Sequence, residues 1–252
     1  MHSIDLDGVA VACTSRAALL EKFDQELGYT DRVFVGFYAS LLFKAKADVQ
    51  YRAFLQRSQT FVYPDGQAVV WACRLLKGDR SVERSATTDI WPDIVRLAVA
   101  RDLPIILIGG SSTNVERAAA SVRSLGGRVV FHSDGYWKDG DELSIQRTVR
   151  DHPGAVVFVG LGSGRQEEFA YSCVENFPDG SQSFFTVGGL FDHISGSVPR
   201  APKLWQRMGL EWAWRSFYEP RRLARRYFMG NSYFIVRLLV NFALIVRVKS
   251  LT

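Results

Sequence analysis

The feature that most restricts the fold is a short apolar run that recurs along the chain and ends in glycine each time. Pro104-Ile105-Ile106-Leu107-Ile108 leads into Gly109-Gly110, Ala155-Val156-Val157-Phe158-Val159 into Gly160-Leu161-Gly162, and Ser183–Val187 into Gly188-Gly189. A strand with one wet face alternates apolar and polar residues, whereas a run that stays apolar at successive positions is dry on both faces. Amphipathic helical patterns separate these runs, at Ser40–Arg57, Ala68–Leu76, Asp89–Arg101, Thr113–Arg123 and Gln166–Glu175, with Thr113 and Asn114 offering N-cap chemistry. Further strands are expected at Val33–Phe37, Thr60–Val62 and Val129–Phe131. The alternation predicts an α/β fold: a doubly wound, mainly parallel, Rossmann-like sheet. Ligands of such sheets bind beyond the carboxyl ends of the strands. That rule singles out the loops Gly109-Gly110, Gly160–Arg165 and Gly188–Asp192.

The pattern breaks at Ser195–Pro202, where Gly196, Pro199 and Pro202 interrupt it and the charge balance changes sign. The expected division is an α/β domain over 1–198 and a helical, basic, membrane-associating appendage over 199–252. From Arg200 to Thr252 there are eleven Lys/Arg against two acids, whereas residues 1–199 carry 20 basic and 24 acidic groups. Such a tail attracts phosphates, whether of nucleic acid, anionic lipid or a diphosphate substrate. Its arginines alternate with bulky apolar residues, which suits a lipid interface and argues against nucleic acid. Leu204, Trp205, Met208 and Trp212 recur at helical spacing, and Pro220 breaks or begins a helix just before Arg221, Arg222, Arg225 and Arg226. Tyr233–Val246 is nearly all apolar, with Arg237 and Asn241 on one helical face. It falls short of the roughly 20 apolar residues of a membrane span. Two readings stand: a helix lying in the headgroup region of an anionic membrane, or a terminal helix packed on the core or on a second copy in a homo-oligomer.

The N-terminal stretch MHSIDLDGVAVACTS has neither the basic region nor the apolar run of a signal peptide. Cys13, Cys73 and Cys173 are odd in number and widely spaced, which fits no disulfide framework or zinc site and points to a reducing compartment. The expected placement is cytosolic or peripheral to a membrane.

Asp65, in Tyr63-Pro64-Asp65-Gly66, follows a strand. An aspartate there closes a turn or caps a helix, and a carboxylate at a strand end is also placed to act as a general base. In Gly160-Leu161-Gly162-Ser163-Gly164-Arg165-Gln166-Glu167, alternate glycines let backbone N–H groups approach a phosphate at a helix N-terminus. The same loop also reads as a tight strand-to-helix turn, and its spacing departs from the dinucleotide fingerprint. Gln166 and Glu167 stand where they would hydrogen-bond a sugar or base. Asp139-Gly140-Asp141 has the look of a metal-binding Asp-x-Asp but lies in a polar stretch that reads as a solvated turn. His2, His132, His152 and His193 show no zinc spacing. No metal and no cofactor are expected.

From Tyr63 to Asn231 the chain resembles, in order, the WecG/TagA/CpsF family of bacterial glycosyltransferases (glycosyltransferase family 26). The resemblance is carried by Pro64-Asp65-Gly66, Glu83-Arg84 with Asp89, Ile108-Gly109-Gly110, Gly135-Tyr136, Gly160-Leu161-Gly162 with Gln166-Glu167, and above all Val187-Gly188-Gly189-Leu190-Phe191-Asp192. It continues through Gly196, Arg200-Ala201-Pro202, Gly209-Leu210-Glu211-Trp212, Arg215, Glu219-Pro220-Arg221-Arg222 and Arg226-Tyr227. The resemblance implies an inverting, metal-independent enzyme that moves a sugar from a UDP-sugar to an undecaprenyl-diphosphate-linked acceptor in cell-surface polysaccharide synthesis. Such an enzyme is peripheral to the cytoplasmic face of the inner membrane. By the same resemblance Asp65 is the general base, and Arg84, Gly109, Gly110, Tyr136, Gly160, Gly162, Gln166, Glu167, Gly188, Gly189 and Asp192 bind substrate. Arg215, Arg222 and Arg225 of the appendage are the candidates for contacting the diphosphate. Three departures are visible. The family's Thr-x-Asn after the first strand has no counterpart in Gly36–Ser40, Gly164 stands where a proline is usual, and Thr87 where a glycine is. They admit an altered sugar or acceptor, and they motivate the alternative of a non-catalytic scaffold in a membrane polysaccharide-assembly complex.

Overall fold

The computed structural model describes residues 2–138, 140–177, 180–218 and 220–249; residues 207, 215, 218, 220–226 and 244–249 are described by their backbone alone. The chain opens with an antiparallel hairpin, β1 (His2–Leu6) and β2 (Val9–Cys13). It continues through α1 (Arg16–Glu26), β3 (Arg32–Phe37), α2 (Ala39–Ala47), α3 (Val49–Leu55), β4 (Thr60–Pro64), α4 (Gln67–Lys77) and α5 (Thr87–Ala100). The second half runs β5 (Ile105–Gly109), α6 (Ser112–Ser124), β6 (Val129–Ser133), α7 (Asp141–Arg150), β7 (Val156–Gly160), α8 (Arg165–Asn176), β8 (Ser183–Thr186) and α9 (Leu190–Ile194). Three further helices end the chain: α10 (Lys203–Arg207), α11 (Glu211–Tyr218) and α12 (Pro220–Lys249).

Six strands form one sheet in the order β4-β3-β8-β7-β5-β6, every neighbouring pair parallel. The expected doubly wound α/β sheet is therefore the observed one. Side chains along a strand point alternately to opposite faces, and the apolar runs supply both faces. Val157 and Val159 of β7 join the cluster under α2, α4 and α8, whereas Val156 and Phe158 join the cluster under α1, α5 and α6. Phe34 and Phe185 stack at 4.7 Å on the second face, with Phe23 of α1 edge-on to both.

Several local readings are corrected. Ser40–Arg57 is two helices rather than one. Asp48 breaks it by adopting an extended conformation (φ −125°, ψ 103°) and capping the second helix through Tyr51 N–H. The cap of α6 is Ser111, whose Oγ accepts from Asn114 N–H, not Thr113 or Asn114. The stretch read as a turn before Leu143 leads straight into α7, which starts at Asp141; Asp139 lies outside the described residues. The N-terminal hairpin was not anticipated. Its signal was present in Ile4-Asp5-Leu6-Asp7-Gly8-Val9-Ala10-Val11, an alternating pattern around Asp-Gly. Asp7 and Gly8 both take positive φ, 53° and 84°, as that turn requires.

The last helix is 30 residues long and contains Tyr233–Val246. It docks on α2 and α4, with Phe234 and Tyr227 buried. Gly230 lies against Ser40 so closely that a Cβ there would overlap it. Arg237, one of the two polar residues in Tyr233–Val246, donates to the hairpin: its Nε lies 2.7 Å from Asp7 Oδ1, and Tyr233 Oη 2.7 Å from Oδ2. The opposite side of the helix exposes Phe228, Ile235, Val236, Leu239 and Val240. Among the described residues no helix is long and apolar enough to cross a membrane.

Burial raises the Asp7 carboxyl, but the hydrogen bonds from Arg237 and Tyr233 and the Arg237 charge outweigh it and hold the group below its ordinary value. A depressed carboxyl stabilises the fold above its unfolded pKa and loses that contribution as pH falls through the folded one. Asp7→Ala is therefore expected to cost on the order of 1 kcal/mol, toward the low end for charged hydrogen bonds because the pair is partly solvated. Hydrogen exchange should quicken along α12 while β7 and β8 stay protected. In the wild type the same loosening should set in only below the usual carboxylate range.

Candidate active site

All six parallel strands end on one side of the sheet, and the loops leaving them surround a cavity of about 730 Å³. Its wall takes in Tyr38 after β3, Asp65-Gly66 after β4, Gly110 after β5, Gly135-Tyr136 after β6, Gly160–Ser163 after β7 and Gly188-Gly189 after β8. The roof comes from the C-terminal helices, through Met208, Glu211, Trp212, Tyr227, Phe234 and Leu238. One side is thus backbone and polar groups, and the other is largely aromatic and aliphatic.

Asp65 sits where β4 turns. The Phe37 carbonyl accepts both Asp65 N–H (3.0 Å) and Gly66 N–H (3.1 Å), which folds the chain sharply at the strand end. Its Oδ2 accepts from Thr87 N–H (2.9 Å) and Thr87 Oγ1 (2.6 Å). Burial pushes the Asp65 carboxyl above its ordinary value; the Thr87 hydrogen bonds and the Arg84 charge oppose that push, and Glu211 adds to it. The result is a carboxylate whose basicity is higher than that of an exposed aspartate.

Arg84 lies in the stretch before α5, beside the β4 end. Its Nε donates to the Asp65 carbonyl (3.2 Å) and Nη1 to the Gln206 carbonyl (3.4 Å), while Nη2 pairs with Glu211. Arg200 pairs with Asp89 (2.6 Å) and reaches Glu211 at 3.6 Å. One carboxylate at the start of α11 therefore bridges two guanidinium groups on the cavity wall.

The glycine loop is built as a tight turn and as a wall at once. Gly162 (φ 82°) and Gly164 (φ 102°) take conformations that side chains disfavour, and a Cβ on Gly162 would meet nothing, so conformation rather than space selects glycine there. Glu167 Oε2 accepts Gly164 N–H (2.6 Å) and its Oε1 accepts Gln166 Nε2 (2.9 Å). Gln166 Oε1 in turn accepts Gly188 N–H (3.0 Å), tying the β7 loop to the β8 loop. Asp192 Oδ1 accepts Asn114 Nδ2 (2.8 Å) across the cavity floor.

Of the residues singled out from the sequence, Asp65, Arg84, Gly110, Tyr136, Gly160, Gly162, Gln166, Gly188, Gly189 and Asp192 all line this one cavity. Two do not. Gly109 (φ 122°) stands behind the wall, where a Cβ would run into the Gly160 backbone. Glu167 is fully buried, and its two carboxylate oxygens accept from Gly164 N–H and the Gln166 amide within the loop. Arg215 lies on α11 and Arg222 and Arg225 on α12, with side chains outside the described set. His193 lines the cavity, with Nδ1 3.1 Å from the Val198 carbonyl. Thr87, Asn114 and Arg200 were not singled out as site residues, because each acts through a partner distant in sequence. Among the described residues no group of three or more His, Cys, Asp or Glu side chains converges as metal ligands would.

The chain matches the family model described as "Glycosyl transferase WecG/TagA/CpsF family" over residues 4–246, which takes in the sheet, every cavity loop and nearly all of α12.

If Glu167 serves the loop, Glu167→Ala should cost about 1–3 kcal/mol in urea unfolding, because Gly164 N–H and the Gln166 amide lose a buried acceptor. A ligand-contacting carboxylate would leave unfolding nearly unchanged.

Proposed function

The chain belongs to the WecG/TagA/CpsF family of glycosyl transferases, and from that membership we propose an inverting transfer of a sugar from a UDP-sugar to a polyprenyl-diphosphate-linked acceptor in cell-surface polysaccharide synthesis. The observation that carries this reading is one partly buried carboxylate, Asp65, held above its ordinary basicity on the wall of a cavity lined by glycine loops and arginines. In the proposed reaction an acceptor hydroxyl attacks the anomeric carbon, its proton passes to Asp65, and the bond from that carbon to the diphosphate oxygen breaks. The electron pair leaves with UDP. Approach from the face opposite the leaving group inverts the configuration.

Charge growing on the leaving diphosphate calls for donors fixed in advance. Backbone N–H groups of the glycine loops and the guanidinium groups of Arg84 and Arg200 are at hand, and Arg215, Arg222 and Arg225 follow by resemblance. Arginine suits the task because its planar fork pairs two donors with phosphate oxygens. On this reading the step needs neither metal nor cofactor. Asp192 and the exposed ring of Tyr136, at the rim of the cavity, suit the ribose and base of the nucleotide.

The apolar half of the cavity opens toward the bare side of α12. Ile235 lines the cavity and is also exposed, beside Phe228, Leu239 and Val240. An apolar stripe on a helix whose sequence also carries Arg221, Arg222, Arg225 and Arg226 suits an anionic bilayer surface, and a polyprenyl chain entering from it would meet the cavity directly. That stripe supports a peripheral place on a membrane, and the family resemblance is what points to the cytoplasmic face of the inner membrane.

Asp65→Asn should lower turnover by about 10²–10⁴-fold or more, the span of general base catalysis, while UDP binding by calorimetry stays within about threefold. In the wild type the rate should fall on the acid side at a pH above the ordinary aspartate range, because only ionised Asp65 accepts a proton. UDP release at the wild-type rate from Asp65→Asn would remove it from the mechanism. For the membrane, Phe228→Glu with Leu239→Glu should weaken sedimentation with phosphatidylglycerol-containing vesicles about tenfold or more, each buried apolar side chain contributing about 1.5–3 kcal/mol. Unchanged sedimentation would place the anchor elsewhere.

A further inference from the structure

Resting on the reading of Asp65 as the base, we infer that Thr87, backed by Tyr63 and given room by Gly36, is the positioning residue that decides which Asp65 oxygen takes the proton. Both Thr87 donors converge on Oδ2, the amide at 2.9 Å and the hydroxyl at 2.6 Å. An ionised carboxylate only accepts, so the hydroxyl proton of Thr87 lies on the Asp65 side. Thr87 Oγ1 then has only lone pairs left for Tyr63 Oη, 2.9 Å away, and the phenol is the donor. The relay therefore runs one way, from Tyr63 through Thr87 to Oδ2. Burial, with the Asp65 charge added, pushes the Tyr63 phenol far above its ordinary value, so the head of the relay keeps its proton. With Oδ2 satisfied twice, Oδ1 is the oxygen left with capacity for the acceptor's proton.

Gly36 explains how the relay fits. It pairs in register with Tyr63 across β3 and β4 and has no positive φ, so its backbone does not call for glycine. A Cβ at position 36 would lie 2.8 Å from Asp65 Oδ2 and 2.8 Å from Thr87 Oγ1. The space that β3 gives up is the space the hydrogen bond occupies. A Cβ at position 36 would therefore crowd the Thr87 hydroxyl together with the carboxylate oxygen it serves.

Carboxyl titration of the full-length protein labelled with ¹³C at aspartate reads this directly, with the Asp65 resonance identified by its loss in Asp65→Asn. Removing a hydrogen bond to the charged form raises a carboxyl's pKa. Thr87→Ala and the near-isosteric Thr87→Val should each raise the Asp65 midpoint by about one unit, a tenfold change in its ionisation equilibrium. Thr87→Ser should hold it near the wild-type value, and Tyr63→Phe should raise it less. The acid limb of UDP release should move to higher pH in step. Gly36→Ala should disturb the midpoint strongly in the wild-type background and much less beside Thr87→Ala, the non-additivity of neighbours in one network. An Asp65 midpoint unmoved by Thr87→Val, or additive effects at positions 36 and 87, overturns the proposal. The titration needs no sugar transfer, so its failure is separate from a failure of the base assignment, which shows only in the Asp65→Asn assay.

Discussion

Backbone meets backbone where the central strands end, and the site depends on that approach. Gly109, Gly160 and Gly188 sit side by side at the ends of β5, β7 and β8. A Cβ on Gly109 would strike the Gly160 backbone, and one on Gly160 would lie 2.8 Å from the Gly188 carbonyl. A side chain on Gly109 or Gly160 would push neighbouring strand ends apart, whereas at Gly188 a Cβ would meet nothing and the positive φ of 55° is what favours glycine. Because the sheet is parallel throughout, all six carboxyl ends gather on one side, and this row of glycines lets their loops close on a common space. Gln166 then fastens two of those loops by taking Gly188 N–H while giving its own amide to Glu167.

Charge is arranged around that floor in a way no single element could supply. Asp65 comes from the sheet, Arg84 from the stretch before α5, and Arg200 and Glu211 from the beginning of the C-terminal segment. Glu211 pairs with both guanidinium groups on the cavity wall, and the Arg84 charge tempers the Asp65 carboxylate. Among the described residues the roof helices are tied to the body by charge both at the site, through this ion pair, and at the N-terminal hairpin, through the Asp7 pair with Arg237. The basic tail read from composition is thus partly spent inside the protein, with Arg200 and Arg237 engaged by acids of the body.

Much of this was legible in the chain because it is written in local pattern. Unbroken apolar runs mark strands buried on both faces, the glycines behind them mark close approach or positive φ, and Asp65 after Tyr63-Pro64 marks a strand end. Ser40–Arg57 looked continuous because its apolar spacing survives the break, and only the Asp48 cap reveals two helices. The N-terminal hairpin is also written locally, in the alternation of Ile4–Val11 around Asp7-Gly8.

Other features had no local signal at all. Thr87 and Asp65 are 22 positions apart, Arg84 and Glu211 127, and Asp7 and Arg237 230; nothing in the spacing of such pairs says that they meet. By itself the sequence determined the parallel sheet, the glycine loops and the strand-end carboxylate, because hydrophobic period and backbone freedom act over a few residues. Tertiary structure alone decided that Glu167 hydrogen-bonds within its own loop, that Gly36 makes room for the Thr87 hydroxyl, and that Arg237 of α12 pairs with Asp7 of the hairpin. Those outcomes depend on which surfaces packing brings within hydrogen-bond reach.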